Sequence, residues 1–287
     1  MMRRGLAIGL IQSRPGEDAR HNLERALRLT DEAAARGAKI ICLPELYRTK
    51  YFPQRKNAKV ESLAETIPGE STEIFGRLAR DRRAAILIPL FERARGRFFN
   101  SVAVVDAGGR LLGAYRKVHI PHDPLFYEKS YFTPGDLGFK VFRTRYAAVA
   151  PLICYDQWFP EAARAAALAG AEILFYPTAI GTIRGEKAPE GDWREAWVTV
   201  QRGHAIANSV HVAAVNRVGT EGRLRFFGTS FVADSFGNVV GRAGAAREEA
   251  LVVPVDLSLN RRVREGWGFM RNRRPDAYSA LVSGSRP

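Results

Sequence analysis

Short apolar runs alternate along the chain with segments that have helical periodicity. The run Leu6 to Ile11 predicts a buried strand, and apolar residues then recur at helical spacing up to Ala34, with Gly37 where that helix would end. The same alternation continues downstream. It predicts further strands in AKIICLPE, AAILIPLF, AAVAPLICYD, AEILFYP and HVAAVNRVG, and helices in EIFGRLARDRR, from Pro160 to Ala169 and from about Asp192 to Asn208.

Other stretches predict antiparallel hairpins. FFNSVAVVDAGGRLLGAYRKV places Gly108-Gly109 between two apolar runs, and GTSFVADSFGNVVG followed by ALVVPVDL has the same character. The strands are apolar on both faces, which is typical of sheets covered by helices or by another sheet. No linker, repeat or composition break divides the chain. The pattern predicts a single α/β domain over residues 1–287, with several sheet layers in an order that the pattern does not give.

Composition adds a strongly basic balance. The 287 residues suffice for a full core, and their formal net charge is +14. The positive charges are dispersed, and the densest cluster is RNRR at Arg271 to Arg274. A basic nucleic-acid-binding protein is the alternative from another functional class, but it would require clustered cations with interleaved aromatic residues. We interpret the charge as a solvated arginine-rich surface and expect no nucleic-acid partner.

Two cysteines are too few for a disulfide framework, and they favour a reducing compartment. No segment reaches the ~18–20 apolar residues that a membrane span needs. The apolar run near the start is too short for a secretory signal and is interrupted by Gln12. We therefore expect a cytoplasmic protein without a membrane partner.

Three residues with chemically different side chains lie in equivalent settings, each at the end of a predicted strand. Glu45 lies at the end of the predicted strand in IICLPEL, Lys117 at the end of LLGAYRK, and Cys154 at the end of the apolar run in VAPLICYD. Each comes where a buried strand gives way to a loop. Ligand and active sites of α/β sheets commonly form at such strand ends, so a carboxylate, an ammonium and a thiol are candidates for one pocket.

These three groups suit acyl transfer through a thioester. A thiol attacks as thiolate, and Glu45 is suited to remove the Cys154 proton and later protonate a leaving amine. Lys117 is suited to stabilise an oxyanion, with the backbone N–H of Tyr155 as second donor before a helix that begins at Pro160. This chemistry requires neither a metal nor an organic cofactor.

Each residue also has a structural interpretation. A lone cysteine at a strand end is commonly core, which is how we interpret Cys42. A glutamate or lysine in a loop is commonly a surface charge. A Cys–His pair would instead need an imidazole beside Cys154. The available candidates for that imidazole are His119, His122, His204 and His211.

Three motifs together identify a resemblance. LPELY, YRKVHIP and ICYDQWFPE resemble the catalytic blocks of the nitrilase (carbon–nitrogen hydrolase) superfamily, in the family's order and at fitting spacings. FYEKSYFTPGD, ILFYPTAIG, FFGTSFVAD and WGFMRNRRPDAY also match, so the resemblance covers nearly the whole chain. The last four are most similar to the N-carbamoylputrescine amidohydrolase branch.

The resemblance implies an αββα four-layer sandwich. It implies Glu45 as general base, Lys117 as oxyanion lysine, Cys154 as nucleophile and Glu128 as the second glutamate that positions lysine and substrate. It also implies a homo-oligomer contacted by a C-terminal arm at about residues 258–287. The implied reaction releases ammonia, carbon dioxide and the free amine from an N-carbamoyl amine. Within the matched motifs, three residues are expected to contact substrate: Tyr47, Trp158 and Thr178.

One departure bears on the substrate. The branch typically reads HIPDDPGYYEK, whereas this chain reads HIPHDPLFYEK, so His122 replaces an acidic residue. An acidic group would pair with the distal ammonium of N-carbamoylputrescine, and Asp123, Glu186 or Glu190 could supply it. Alternatively, His122 and Arg184 could receive a carboxylate. That arrangement would favour an N-carbamoyl amino acid such as N-carbamoyl-β-alanine, and another linear amide also stays open.

Overall fold

The computed structural model describes residues 5–283. Within that range the α-helices are Ala19–Ala35 (α1), Glu70–Arg82 (α2), Pro160–Leu168 (α3), Trp193–Asn208 (α4) and Ser258–Trp267 (α5). The strands are Leu6–Gln12 (β1), Ile40–Cys42 (β2), Ala85–Ala94 (β3), Arg97–Val105 (β4), Leu111–Arg116 (β5), Phe142–Arg143 (β6), Ala148–Pro151 (β7), Ile173–Thr178 (β8), Gly181–Ile183 (β9), His211–Asn216 (β10), Val218–Glu221 (β11), Leu224–Phe227 (β12), Phe231–Ala233 (β13), Val239–Arg242 (β14) and Glu249–Val255 (β15).

Two six-stranded sheets share one plan. The first has the order β15-β1-β2-β3-β4-β5 and the second β14-β13-β10-β8-β7-β6. Each contains three central parallel strands, β1-β2-β3 or β7-β8-β10, to which antiparallel strands are added at both edges. The predicted hairpin around Gly108-Gly109 is the β4–β5 pair, and Asp106 and Arg110 close its turn.

The two sheets pack face to face. Successive side chains of a strand point to opposite sides, so one set of apolar side chains faces the other sheet and the alternate set faces the helices. Ile8 and Leu10 of the first sheet enter the core that also holds Val149 and Val212 of the second. The alternate positions, such as Ile41, face a separate core between the first sheet and helices α1 and α2. Apolar residues on both faces of the strands therefore serve two different layers.

Helices cover both outer faces. Apolar residues of α1 and α2 pack on the first sheet, and alanines of α3 pack with Trp197 of α4 on the second. The side chain of Asp18 caps α1 by accepting from the backbone N–H of Arg20 at 2.7 Å, and Asp192 caps α4 in the same way through Arg194. These layers confirm the predicted αββα sandwich.

Some details differ from the sequence-based prediction. Strand β7 ends at Pro151, so Cys154 does not end the strand; it opens a 3-10 helix over Cys154–Trp158 that precedes α3. A small sheet of order β11-β12-β9, which the pattern did not predict, continues from β10 after Asn216.

The predicted C-terminal arm contains α5 and two short 3-10 turns, and its residues 284–287 lie outside the described range. Across residues 5–283, no helix is both long enough and apolar enough to cross a membrane.

Glycine packing gives a stability prediction. A Cβ at Gly135 would lie 2.1 Å from the Arg116 carbonyl oxygen. A Cβ at Gly203, an exposed position of helix α4, would meet nothing within 4 Å. We expect Gly135→Ala to lower the free energy of unfolding by about 1–3 kcal/mol through backbone displacement. The matched control Gly203→Ala should raise it by about 0.5–1 kcal/mol. Urea denaturation measures both, and equal effects would contradict the packing argument.

Candidate active site

A buried ammonium joins two buried carboxylates. Lys117 Nζ donates to Glu45 Oε1 at 2.9 Å and to Glu128 Oε2 at 2.6 Å, and all three side chains are fully shielded from solvent. Tyr51 Oη donates to the other oxygen of Glu128 at 2.6 Å. The structure thus brings together three of the residues that the sequence nominated as catalytic.

The first sheet positions two of these groups. Glu45 lies in the turn that follows β2, and Lys117 directly follows β5. Asn100, on β4, connects them: its side-chain N–H donates to Glu45 Oε1 at 2.7 Å, and its carbonyl accepts from the Lys117 N–H at 2.8 Å. The second carboxylate oxygen of Glu45 is buried and has no hydrogen-bond partner among the described residues, so it is available to take a proton.

Cys154 comes from the second sheet and faces these groups across the inter-sheet boundary. Its φ of 43° lies in the left-handed region that residues with a side chain seldom adopt. This conformation turns the chain sharply between β7 and α3 and leaves the side chain at the turn. The thiol is 7% exposed, and the Ala179 backbone N–H, just after β8, is within hydrogen-bonding reach of Sγ.

Asp156 joins the cysteine turn to the lysine loop. Its fully buried carboxylate accepts from the Ile153 N–H at 2.8 Å and from Tyr115 Oη at 2.7 Å. It also accepts from the His119 N–H and lies 2.7 Å from His119 Nδ1. Because Ile153 precedes the nucleophile and His119 lies two residues after Lys117, one carboxylate fixes the relative position of both loops.

The electrostatic environment keeps the resting thiol neutral. Burial raises the pKa of Cys154 well above its ordinary value, and the Glu45 charge adds to this effect, while Lys117 opposes it. Burial by itself lowers the pKa of Lys117, but the charges of Glu128 and Glu45 outweigh it and hold that pKa above its ordinary value. Lys117 therefore stays cationic, and the thiol needs a base in order to react.

Glu128 is the carboxylate whose protonation state is most sensitive to its surroundings. Burial raises its pKa to about 7, with Lys117 opposing and Glu45 adding to the rise. Burial and the neighbouring Glu128 also raise the pKa of Tyr51, so its hydroxyl remains a donor. A buried phenol and ammonium thus hold the two oxygens of Glu128 in place.

The histidine alternatives to Glu45 have structural partners. His204 Nε2 lies 2.8 Å from the Gln157 carbonyl oxygen, and His211 Nδ1 lies 2.7 Å from Asn260 Oδ1. Burial lowers the pKa of both imidazoles. His119 stacks on Phe159 with ring centroids 3.7 Å apart. Among the described residues, the geometry favours glutamate as the base.

Two of the expected substrate contacts are placed elsewhere by their packing. Tyr47 is buried in the core between the first sheet and the helices, where its hydroxyl lies 2.7 Å from Ser71 Oγ. Thr178 is fully buried, and its hydroxyl donates to the Tyr176 carbonyl. We correct both to structural residues, because their hydroxyls face the helix layers: Tyr47 bonds to Ser71 of α2, and Thr178 also donates to Gln157, which bonds to α4. Trp158 ends the 3-10 helix that Cys154 begins and is partly exposed.

The rim of the site carries the residues that could select a substrate. His122 and Asp123 are exposed, and the His122 ring contacts Tyr127 edge-on. The Tyr155 pKa is raised by burial and then by the Asp123 charge, and lowered by Lys117, so both charges act on the Tyr155 phenol. Arg184 is exposed just beyond β9.

The other acidic candidates have local partners. Glu186 forms an ion pair with Arg223, and Glu190 accepts from Trp193 Nε1 at 2.5 Å. Of the three acidic candidates, Asp123 is the one whose charge acts on Tyr155, which directly follows Cys154. Within residues 5–283, no three His, Cys, Asp or Glu side chains are grouped so as to hold a metal ion.

Sequence reasoning missed several members of the site. Asn100 had a signal, since it is a polar residue inside the apolar run of β4 and is 1% exposed. Asp156 had a similar signal within the cysteine motif. Tyr51 and the Ala179 N–H had none, because their roles arise only when separate loops meet.

The raised pKa of Glu128 predicts a pH-dependent stability. Between its ordinary value of 4.5 and about 7, the folded state holds a proton that the unfolded state has lost. This contribution is present below 4.5 and is lost as pH rises through about 7. Glu128→Gln removes it. The stability of the parent relative to that variant should therefore fall by on the order of 2–3 kcal/mol from pH 5 to 8. Denaturant titrations at each pH measure the difference, and a difference independent of pH would contradict the assignment.

Comparison with known proteins identifies the family. A family model described as carbon-nitrogen hydrolase matches residues 7–265. An N-carbamoylputrescine amidase of Solanum lycopersicum is 43% identical over 294 residues, covering 98% of this chain and 97% of that protein. A citrullinase of Francisella tularensis subsp. tularensis is 39% identical over 282 residues, covering 96% and 98%.

The solved structures agree with this. A carbon-nitrogen hydrolase from Helicobacter pylori G27 superposes with a TM-score of 0.92 at 40% identity, covering 99% of this chain and 100% of its own. The match extends over both sheets and their helices. The chain belongs to the carbon-nitrogen hydrolase family, the nitrilase superfamily, and is a hydrolase that acts on carbon–nitrogen bonds.

Proposed function

We propose that this enzyme hydrolyses N-carbamoylputrescine to putrescine, ammonia and carbon dioxide, with Cys154 as nucleophile. The observation that carries the chemistry is the buried Glu45–Lys117–Glu128 chain of ion pairs facing a thiol at a strained turn. The substrate is supported by the similarity to N-carbamoylputrescine amidases over nearly the full chain.

The first half-reaction forms a covalent intermediate. The free oxygen of Glu45 takes the Cys154 proton as Sγ bonds to the carbamoyl carbon. An ammonium has three N–H donors, and two of those on Lys117 are used by Glu45 and Glu128. The third is available for the developing oxyanion, together with the Tyr155 N–H at the start of the 3-10 helix. Glu45 then returns the proton to the departing nitrogen as the carbon–nitrogen bond breaks.

The second half-reaction releases the acyl group. Water attacks the thioester-type carbon, Glu45 takes the water proton, and the carbon–sulfur bond breaks as the thiol is reprotonated. Hydrolysis yields a carbamic acid, which loses carbon dioxide and leaves the amine. Lys117 keeps its charge throughout because the two carboxylates hold its pKa high. Glu128 fixes the ammonium through its bond to Nζ.

The distal ammonium of the substrate is proposed to interact with Asp123. This residue is exposed on the rim, and its charge reaches the Tyr155 phenol beside the nucleophile. His122 and Arg184 support a second candidate, an N-carbamoyl amino acid, because they could receive its carboxylate. The 39% identity to a citrullinase favours that candidate as well.

Assembly is a further part of the proposal. We propose a homo-oligomer contacted by the arm at 258–287, in a cytoplasmic protein. The arm exposes apolar side chains: Trp267 is 59% exposed and contacts Phe236 and Phe269, and Val282 is 88% exposed. Both cysteines are free thiols, in keeping with a reducing compartment.

The activity prediction uses ammonia release from a panel of N-carbamoylputrescine, citrulline, N-carbamoyl-β-alanine, linear amides and nitriles. We expect N-carbamoylputrescine to have the highest kcat/KM. Cys154→Ala should abolish turnover, and Glu45→Gln should reduce kcat by about 100-fold or more, because it removes a general base. Normal turnover by Cys154→Ala would overturn the mechanism. A nitrile or β-alanine derivative as the best substrate would overturn the substrate assignment.

The rim prediction separates the two candidate substrates. Asp123→Asn should raise KM for N-carbamoylputrescine about 5- to 10-fold with little change in kcat, because a partly exposed charge contact contributes about 1 kcal/mol. Asp31→Asn on the distant α1 surface is the matched control and should leave KM unchanged. If Arg184→Gln raises KM for citrulline while Asp123→Asn changes neither substrate, the carboxylate-binding candidate replaces the first.

A further inference from the structure

A buried arginine holds the segment that carries the base. Arg217 lies between β10 and β11 and is fully buried. Its Nη2 donates to the carbonyls of Leu46, at 3.2 Å, and Thr49, at 2.7 Å. Leu46 directly follows Glu45 and has a φ of 48°, so its conformation depends on external support.

A buried glutamate completes the arrangement. Glu221, at the end of β11, pairs with Arg217 at 3.3 Å, and both side chains are almost fully shielded from solvent. Glu221 Oε2 also accepts from the Tyr51 backbone N–H at 2.6 Å. Tyr51 is the residue whose hydroxyl bonds to Glu128. One ion pair therefore fixes both ends of the turn at residues 45–51.

The free-energy cost of burying Arg217 and Glu221 indicates that this ion pair does more than fill space in the core. Two charges removed from water gain little from each other unless their remaining hydrogen bonds are satisfied, and an apolar pair of the same volume often gives equal stability. Here Nη2 of Arg217 donates to two carbonyls, Nη1 donates to the Glu221 carboxylate, and the guanidinium lies 5.3 Å from the Phe226 ring. Lysine cannot reproduce that geometry. Arg217 Nε and Glu221 Oε1 are buried without a hydrogen-bond partner among the described residues, so the pair carries a desolvation cost that packing alone does not explain.

We propose that Arg217 and Glu221 are positioning residues, which hold Glu45 and Tyr51 in the geometry that activates Cys154. They act through hydrogen bonds to the backbone of residues 46, 49 and 51. Arg217 directly precedes β11 and Glu221 ends it, so both lie outside the two main sheets. The inference rests on the roles proposed for Glu45 and Cys154, and it is independent of the identity of the ureido substrate.

Alkylation by iodoacetamide tests this without any ureido substrate. Cys154 Sγ displaces iodide, a carbon–sulfur bond forms, and the thiol proton passes to Glu45, so the rate reports how well the base is placed. The variants are Arg217→Lys and the double variant Arg217→Met/Glu221→Met. The double variant keeps a similar buried volume at these two positions but places no charge there. Intact mass and peptide mapping give the rate at Cys154, and steady-state assays give kcat and KM.

We expect both variants to lower the alkylation rate and kcat about tenfold or more with KM within about threefold, because a displacement of ~1 Å at a catalytic group can cost on the order of 100-fold. Asn260→Ala is the matched control. It breaks buried hydrogen bonds to His211 and Glu172 but has no contact with residues 45–51. Even where Asn260→Ala lowers Tm as much as the Arg217 variants or more, its Cys154 should be alkylated at the rate of the parent protein.

A folded double variant that alkylates and turns over at the parent rate would overturn the proposal. The proposal would also be overturned if the Arg217 variants lost no more alkylation rate than Asn260→Ala at the same Tm, because the loss would then reflect reduced stability alone. If Arg217→Lys does not fold, the double variant decides alone. If the parent is alkylated at Cys154 yet releases no ammonia from ureido compounds, the proposed substrate is wrong and the positioning test still applies.

Discussion

The active site depends on one buried cation held between two carboxylates. Lys117 contacts Glu45 and Glu128 in a volume closed to solvent, where any one of these charges alone would be strongly unfavourable. The three residues come from separate loops, so their ion pairs form only when the first sheet and the segment at Glu128 are in place. Catalytic geometry and folding are thereby coupled. This coupling explains why Asn100 and Tyr51, which have no chemistry of their own to perform, are buried and bonded to the same carboxylates.

The same dry environment determines how the nucleophile is activated. Burial raises the pKa of Cys154 and the Glu45 charge raises it further, which favours the neutral thiol over the thiolate. In the proposed mechanism the proton moves to Glu45 as the bond to carbon forms. The enzyme thus gains reactivity only when a carbonyl group and an oxyanion site are available together.

Much of this arrangement could be predicted from the sequence, and the reasons for the failures are physical. Apolar runs and helical spacing predicted a single α/β domain with several sheet layers because the strands bury both faces, whereas the αββα order was implied only by the resemblance to the nitrilase superfamily. Glu45, Lys117 and Cys154 could be nominated because each follows such a run. Tyr47 and Thr178 were assigned wrongly, because proximity in a motif does not tell which side of a sheet a side chain faces. Arg217, Tyr51 and the small third sheet depend on contacts between residues up to 171 positions apart, which no local pattern encodes.

The division between a closed core and an open rim bears on the substrate. N-Carbamoylputrescine and citrulline share a ureido group and a distal ammonium at similar chain length, and they differ in the α-carboxylate of citrulline. In either case we propose that the ureido group meets the same Glu45, Lys117 and Cys154. Asp123 could serve the ammonium of both, so it cannot by itself discriminate between them. Under the proposed function, selectivity comes from a group that accepts or repels the carboxylate, and the exposed cation Arg184, just beyond β9, is the candidate. The chemistry is therefore fixed by buried contacts, and the choice of substrate by exposed ones.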